Sequence, residues 1–329
     1  MTRYAMLDVC SVREGGSVAE SLANSVALAQ NAEQWGYSRF WLAEHHNFTG
    51  IASAATSLVI GHVAAATKSI RVGAGGIMLP NHAPLVIAEQ FGTLEALYPG
   101  RIDLGLGRAP GTDQLTVNAL RRNLDGDVNQ FPRDVVELIQ FLDDPEPGQT
   151  VVATPGAGSK VPVWILGSSL FGAQLAAALG LPFGFASHFA PAQLSEAIQL
   201  YRQRFSPSKW LDVPYVLAGF NVIAADSNDE AEFLASSMRR AFVNLTMGKP
   251  GKLQPPSADL QHSLNARDQM MLSQIMACSA VGDRDTVAQK LSTFIDDTGV
   301  DEIIFSGQVY DLQARLRSFE LAAEVMQSL

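Results

Sequence analysis

The chain has 329 residues, of which 47% are hydrophobic and 17% charged, with a formal net charge of -10. That is ample material for a large buried core, at a length that α/β barrels reach as one domain, and residues 1–329 are read as a single domain. The acidic balance, with no basic cluster longer than Arg121-Arg122 or Arg239-Arg240, excludes a nucleic-acid partner, because phosphate backbones are bound through basic patches.

Cys10 and Cys278 make no disulfide framework, and the opening residues lack the apolar core of a signal peptide, so a cytoplasmic protein is expected. No apolar stretch nears membrane-spanning length. The most apolar one, residues 51–66, is broken by Ser53, Thr56, Ser57 and His62.

In chain order, short apolar runs that read as strands fall at residues 4–9, 39–43, 70–73, 102–106, 163–166, 183–186, 216–223 and 302–305. Helical patterns lie between them. Residues 17–35 open with Ser17 and Glu20 in capping-box spacing and carry Leu22, Val26, Ala29 and Ala32 at helical intervals. Tyr98-Pro99-Gly100-Arg101 stops a helix and turns tightly into the fourth run. Leu170 to Leu179 reads as a helix directly after the fifth run. Two more patterns, at 229–245 and 286–296, surround a polar insert at 247–265. Eight strands alternating with helices predict an α/β fold, a (β/α)8 TIM barrel with an elaborated connection between strands 7 and 8. A doubly wound open sheet is the alternative.

A TIM barrel carries its chemistry at the carboxyl ends of its strands, so the residues after each run are the candidates. Glu44-His45-His46 follow the second run, Gly75, Gly76, Met78, Asn81 and His82 the third, and Gly107 and Arg108 the fourth. Ser168 and Ser169 follow the fifth run, Ser187 and His188 the sixth. The stretch Gly105-Leu106-Gly107-Arg108-Ala109-Pro110-Gly111 is not a dinucleotide fingerprint, because its third glycine falls one position late and Pro110 intrudes. It leaves a glycine-bordered guanidinium able to grip a phosphate, and the helix start at Ser168-Ser169 adds N-H and hydroxyl donors. Taken singly, Arg108 reads as a structural ion pair and either serine as a helix cap; taken together they favour an anion site. A metal-dependent hydrolase built on Glu44-His45-His46 with His62, His82 or His188 is a rival reading. No His-x-His or His-Glu-x-x-His spacing supports it, and no metal is expected.

The motif Trp41-Leu42-Ala43-Glu44-His45-His46, residues 72–80 before Asn81-His82, residues 100–108 and residues 163–169 resemble the bacterial luciferase-like monooxygenases, in particular their single-chain, alkanal-monooxygenase-like branch. The resemblance covers essentially the whole chain. It implies a TIM barrel that binds reduced FMN, or in some branches a deazaflavin, at the carboxyl end. Oxygen reacts there to a C4a-hydroperoxyflavin that attacks a small aldehyde- or ketone-like substrate. It places Glu44 and the strand-three turn at Gly75-Gly76, a non-proline cis peptide in luciferases, against the flavin ring, with Gly107, Arg108, Ser168 and Ser169 at its phosphate end. His45 matches the catalytic histidine, an imidazole near pKa 6.5, and His46 is expected to assist it. Alternation along a strand sends 45 and 46 to opposite faces unless the backbone leaves extended geometry. Gly107 stands where luciferase has a reactive cysteine, so thiol-linked behaviour does not transfer. The resemblance further implies a homodimer and, as no reductase motif is present, a separate flavin reductase. A non-catalytic flavin-binding protein and a deazaflavin-dependent oxidoreductase remain alternatives. Specificity is expected in the connections 109–130 and 247–265.

Overall fold

Each apolar run forms a strand in the computed structural model, which describes residues 2–109, 114–120 and 130–329. They are β1 (Arg3–Asp8), β2 (Arg39–Leu42), β3 (Arg71–Met78), β4 (Ile102–Gly107), β5 (Val163–Gly167), β6 (Phe183–Phe185) and β7 (Val216–Ala224), followed by β8 (Ser279–Gly282) and β9 (Glu302–Ser306). The pairing is parallel throughout. β1 lies between β2 and β9, β9 beside β7, and β7 also pairs with β6, so eight strands close into a barrel with helices between them, a TIM barrel. The β6–β7 pairing rules out an open sheet.

β8 is the strand that the apolar runs did not predict. It pairs only with Asn221–Ala224 of β7, a stretch that overlaps the contact with β9 at Asn221 alone, so it extends the sheet without entering the barrel. Four residues, Ser-Ala-Val-Gly, are too short and too small to register as a run. The connection from β7 to β9 is therefore elaborated as expected: the helix Asn228–Thr246, the short helix Leu260–Ser263, the helix Ala266–Ile275, β8 and the helix Arg284–Thr298. In the other variable connection, residues 110–113 and 121–129 lie outside the described residues, Pro110, Gly111 and the Arg121-Arg122 pair among them.

Local signals act as read. Ser17 caps the helix Val18–Gln34 by accepting from Glu20 N, and the helix Pro84–Leu97 stops before Pro99, with Gly100 at φ +73°. One expectation is corrected. Gly75 and Gly76 are not a turn beyond the third strand but lie inside β3, where the pairing with β4 shifts register between Gly75 and Ile77. Neither position has room for a side chain: a Cβ would stand 2.7 Å from Leu7 Cδ1 at Gly75 and 2.6 Å from the Gly105 carbonyl oxygen at Gly76. The peptide between them is cis, as the resemblance implied.

At the amino ends of the strands the barrel is filled by charge. Arg39 donates from Nη1 to Asp103 Oδ2 at 2.6 Å and from Nε to Glu302 Oε1 at 2.8 Å, while Arg71 Nη2 reaches Asp103 Oδ1 at 2.6 Å and Tyr215 donates to Glu302 Oε2. The Arg39 guanidinium lies 4.8 Å from the Trp164 ring, and Trp41 Nε1 donates to Asp103. Asp103 and Glu302 are fully buried, and this network is the floor beneath the site.

Candidate active site

At the carboxyl end the strands open into one cavity of about 530 Å³. It takes one wall from Gly75-Gly76, another from Gly107-Arg108 and Ser168-Ser169, and includes Glu44 and His45. Of the residues singled out from strand ends, these eight line the same space together with Met78 and His188, brought there from β2, β3, β4, β5 and β6 by the parallel register. Much of the rest is apolar, with Leu217, Met238, Phe242 and Leu245 on the side of β7 and the helix after it.

The anion end is built from groups not committed elsewhere among the described residues. Arg108 is exposed, and its guanidinium carbon lies over the Phe171 ring, 4.1 Å from its centre. Ser169 occupies the N-cap of the helix Leu170–Leu179, but its side chain makes no capping bond. Its hydroxyl and the first N-H groups of that ten-residue helix are thus available to an anion. A Cβ at Gly107 would meet nothing closer than the Ile77 carbonyl at 3.8 Å, so backbone there borders open cavity.

Consecutive residues 45 and 46 part company, as strand alternation predicts. His45 faces the cavity with its ring edge-on to Phe48 at 5.5 Å. Burial presses its imidazole down to about 4, opposed by the Glu44 carboxylate and aided by His46, so the ring is neutral at ordinary pH. His46 turns the other way and lies outside the cavity lining. Its Nε2 is 2.6 Å from Glu44 Oε1, and His82 Nε2 approaches the same oxygen at 2.8 Å. A carboxylate only accepts, so both rings donate. Glu44 Oε2 accepts from Met78 N at 3.1 Å. Burial pushes the Glu44 carboxyl upward, but His82, His46 and the Met78 N-H outweigh it and hold the carboxyl below its usual range. Glu44 is 1% exposed and ionised, a fixed negative charge clamped by two imidazoles and a strand.

Strand-end position marked His82 as a candidate, but its bond to Glu44 spans 38 residues and could not be read from spacing. Glu44, His46 and His82 offer ligand atoms within 4.8 Å of one another, an arrangement that could hold a metal ion; the same contacts satisfy the carboxylate without one. His188, at the end of β6, also lines the cavity.

Comparison with known proteins agrees with this architecture. The luciferase-like monooxygenase family matches residues 3–302. A luciferase-like monooxygenase of Escherichia coli (strain K12) is 54% identical over 326 residues, covering 99% of this chain and 97% of the relative. Among solved structures, apo-MsnO8 shares 33% identity and superposes with a TM-score of 0.92, covering 99% of each chain. The oxygenating constituent of 3,6-diketocamphane monooxygenase from Pseudomonas putida, a type II Baeyer-Villiger monooxygenase solved with FMN, shares the fold at 17% identity and a TM-score of 0.73, covering 98% of this chain and 97% of that one. A family match over nine-tenths of the chain, met by strand ends that converge on a single cavity, makes the protein an oxidoreductase, and it belongs to the luciferase-like monooxygenases.

Proposed function

We propose that the protein is a flavin-dependent monooxygenase that takes reduced FMN from a separate reductase and uses molecular oxygen to oxidise a small aldehyde- or ketone-like molecule. The observation that carries this reading is the meeting, in one cavity, of an available guanidinium and helix N-terminus with a side-chain-free wall and a neutral imidazole. The residues fit the cofactor at both ends. Gly75 and Gly76 leave a flat backbone surface for a ring, and Arg108, Ser168 and Ser169 supply donors for a phosphate. Reduced FMN, when bound, supplies the electrons that activate oxygen.

The chain's own residues position and move protons. His45, neutral and lining the cavity, is the general base. Glu44 carries a fixed negative charge beside it, and His46 acts through Glu44, whose orientation it and His82 hold. The apolar walls keep bulk water from the reaction. FMN in complex with the distant camphane enzyme supports the choice of cofactor. A cytoplasmic location and a homodimeric assembly belong to the same proposal; among the described residues no helix is long and apolar enough to cross a membrane.

The test is an Arg108→Ala variant titrated with FMN, riboflavin and a deazaflavin. Losing a charge-assisted bond worth about 1.5–3 kcal/mol, it is expected to bind FMN about 10- to 100-fold more weakly with riboflavin nearly unchanged. Equal losses on FMN and riboflavin would remove Arg108 from the phosphate, and oxygen uptake absent with reduced FMN and every carbonyl substrate would leave a binding protein instead.

A further inference from the structure

His188 is the second imidazole of the cavity, and the proton chemistry assigned to His45 makes no use of it. Its ring sits in a notch on β7 that exists because residue 219 is glycine: the three atoms nearest to a Cβ built there are Nδ1, Cγ and Cε1 of His188. Ser187 Oγ bonds the Gly219 carbonyl at 2.6 Å, Asn221 Nδ2 donates to the His188 carbonyl at 2.5 Å, and the Phe189 ring stands at 89° to the imidazole at 4.9 Å. Backbone and ring are thus held from three sides.

The seating decides which nitrogen carries the proton. Nδ1 is buried against Gly219 with no hydrogen-bond partner among the described residues. A buried N-H without an acceptor is rarer and costlier than a buried lone pair, so the proton belongs on Nε2, the nitrogen left facing the cavity. Burial pushes the imidazole down to about 4, and a charged His45 would push it further, so the ring stays neutral. Around it lie Leu217, Met238 and Phe242, and the buried Glu44 is already saturated by His46, His82 and Met78. The cavity also takes neutral polar groups from His45, Ser306 and Gln308, and Asn221 spends its amide donor on the His188 carbonyl; the Nε2-H of His188, set among Leu217, Met238 and Phe242, suits an uncharged molecule with a hydrogen-bond acceptor.

We infer that His188 is a substrate-binding residue: its Nε2-H holds the carbonyl oxygen of an uncharged, apolar substrate on the β6–β7 side of the cavity. The oxidation of that substrate rests on the monooxygenase reading, but its binding is testable without turnover. The full chain is titrated with 2-heptanone and with heptane, with and without oxidised FMN, following the fluorescence of Trp41, which lines the cavity.

Wild type is expected to bind the ketone more tightly than the hydrocarbon. His188→Phe, which keeps a ring and loses the donor, is expected to lower ketone affinity about 3- to 10-fold, the loss of one neutral hydrogen bond, and to leave heptane unchanged. His188→Asn, which restores an amide donor, is expected to recover part of the difference. FMN affinity should be the same in all three proteins, which also shows that each is folded. Equal binding of ketone and hydrocarbon by wild type, or an undiminished ketone preference in His188→Phe, would overturn the assignment. Failure of wild type to bind FMN would instead overturn the cofactor reading and leave the ketone comparison standing.

Discussion

At the scale of single residues, the site separates an imidazole that meets the cavity from one that binds a carboxylate within one dipeptide. His45 meets the cavity and is held neutral, whereas His46 spends its donor on Glu44. His45→Ala is therefore expected to lower turnover by about 10²- to 10⁴-fold, the usual contribution of a positioned base, while FMN affinity stays within a few-fold of wild type. Stopped-flow oxidation beside an FMN titration measures both, and a loss of turnover explained wholly by lost FMN would contradict the assignment. The resemblance named His45 as the catalytic candidate with His46 beside it, but that His46 turns to Glu44 was not legible, because the backbone path after β2 decides it, and Asn47 takes φ +60° there. His82, by contrast, became a partner of Glu44 only once β3 was seen to carry past its glycines to Met78.

At the scale of elements, one carboxylate ties the first helix to the third strand. Glu33, at the end of Val18–Gln34, accepts from the N-H groups of Lys68, Ser69 and Ile70 just before β3. Burial raises its carboxyl, but those N-H bonds, strongest from Ile70, bring it down to about 2. A carboxyl lowered on folding contributes stability that is full above its unfolded value near 4.5 and is lost as pH falls toward 2. Glu33→Gln is accordingly expected to unfold about 1–2 kcal/mol more easily than wild type at pH 7, with the gap closing as pH falls from about 4.5 to about 2. Urea midpoints at about pH 7, 4 and 2.5 measure it; a gap that does not change with pH would show that the charge is irrelevant. Helices with capping boxes and Pro-Gly stops were legible because those signals are local. β8 and the upper half of β3 were not, since small residues and glycines look like turns until a neighbouring strand pairs with them.

At the scale of the whole molecule, the barrel and the convergence of strand ends were legible from eight apolar runs and their order, as a parallel barrel brings all carboxyl ends to one mouth. The opposite end was not. Arg39, Asp103 and Glu302 sit inside runs that read as ordinary strands, and only closure, with β1 between β2 and β9, brings Arg39 and Glu302 together across 263 residues. Arg39→Met leaves the buried Glu302 without its arginine and Asp103 with Arg71 alone, and is expected to cost about 3–5 kcal/mol, measured as the fall in the chemical denaturation midpoint, whereas a change under about 1 kcal/mol would mean that water already reaches the network. That network also gives the cavity its plumbing. Charged side chains locked to one another, with Trp41 and Trp164 against them, fill the axis of the barrel beneath the cavity, so among the described residues the site is a well that opens at the carboxyl ends of the strands. On the proposed reading, oxygen, cofactor, substrate and product share that mouth, and whichever occupant lies deeper is the last to leave.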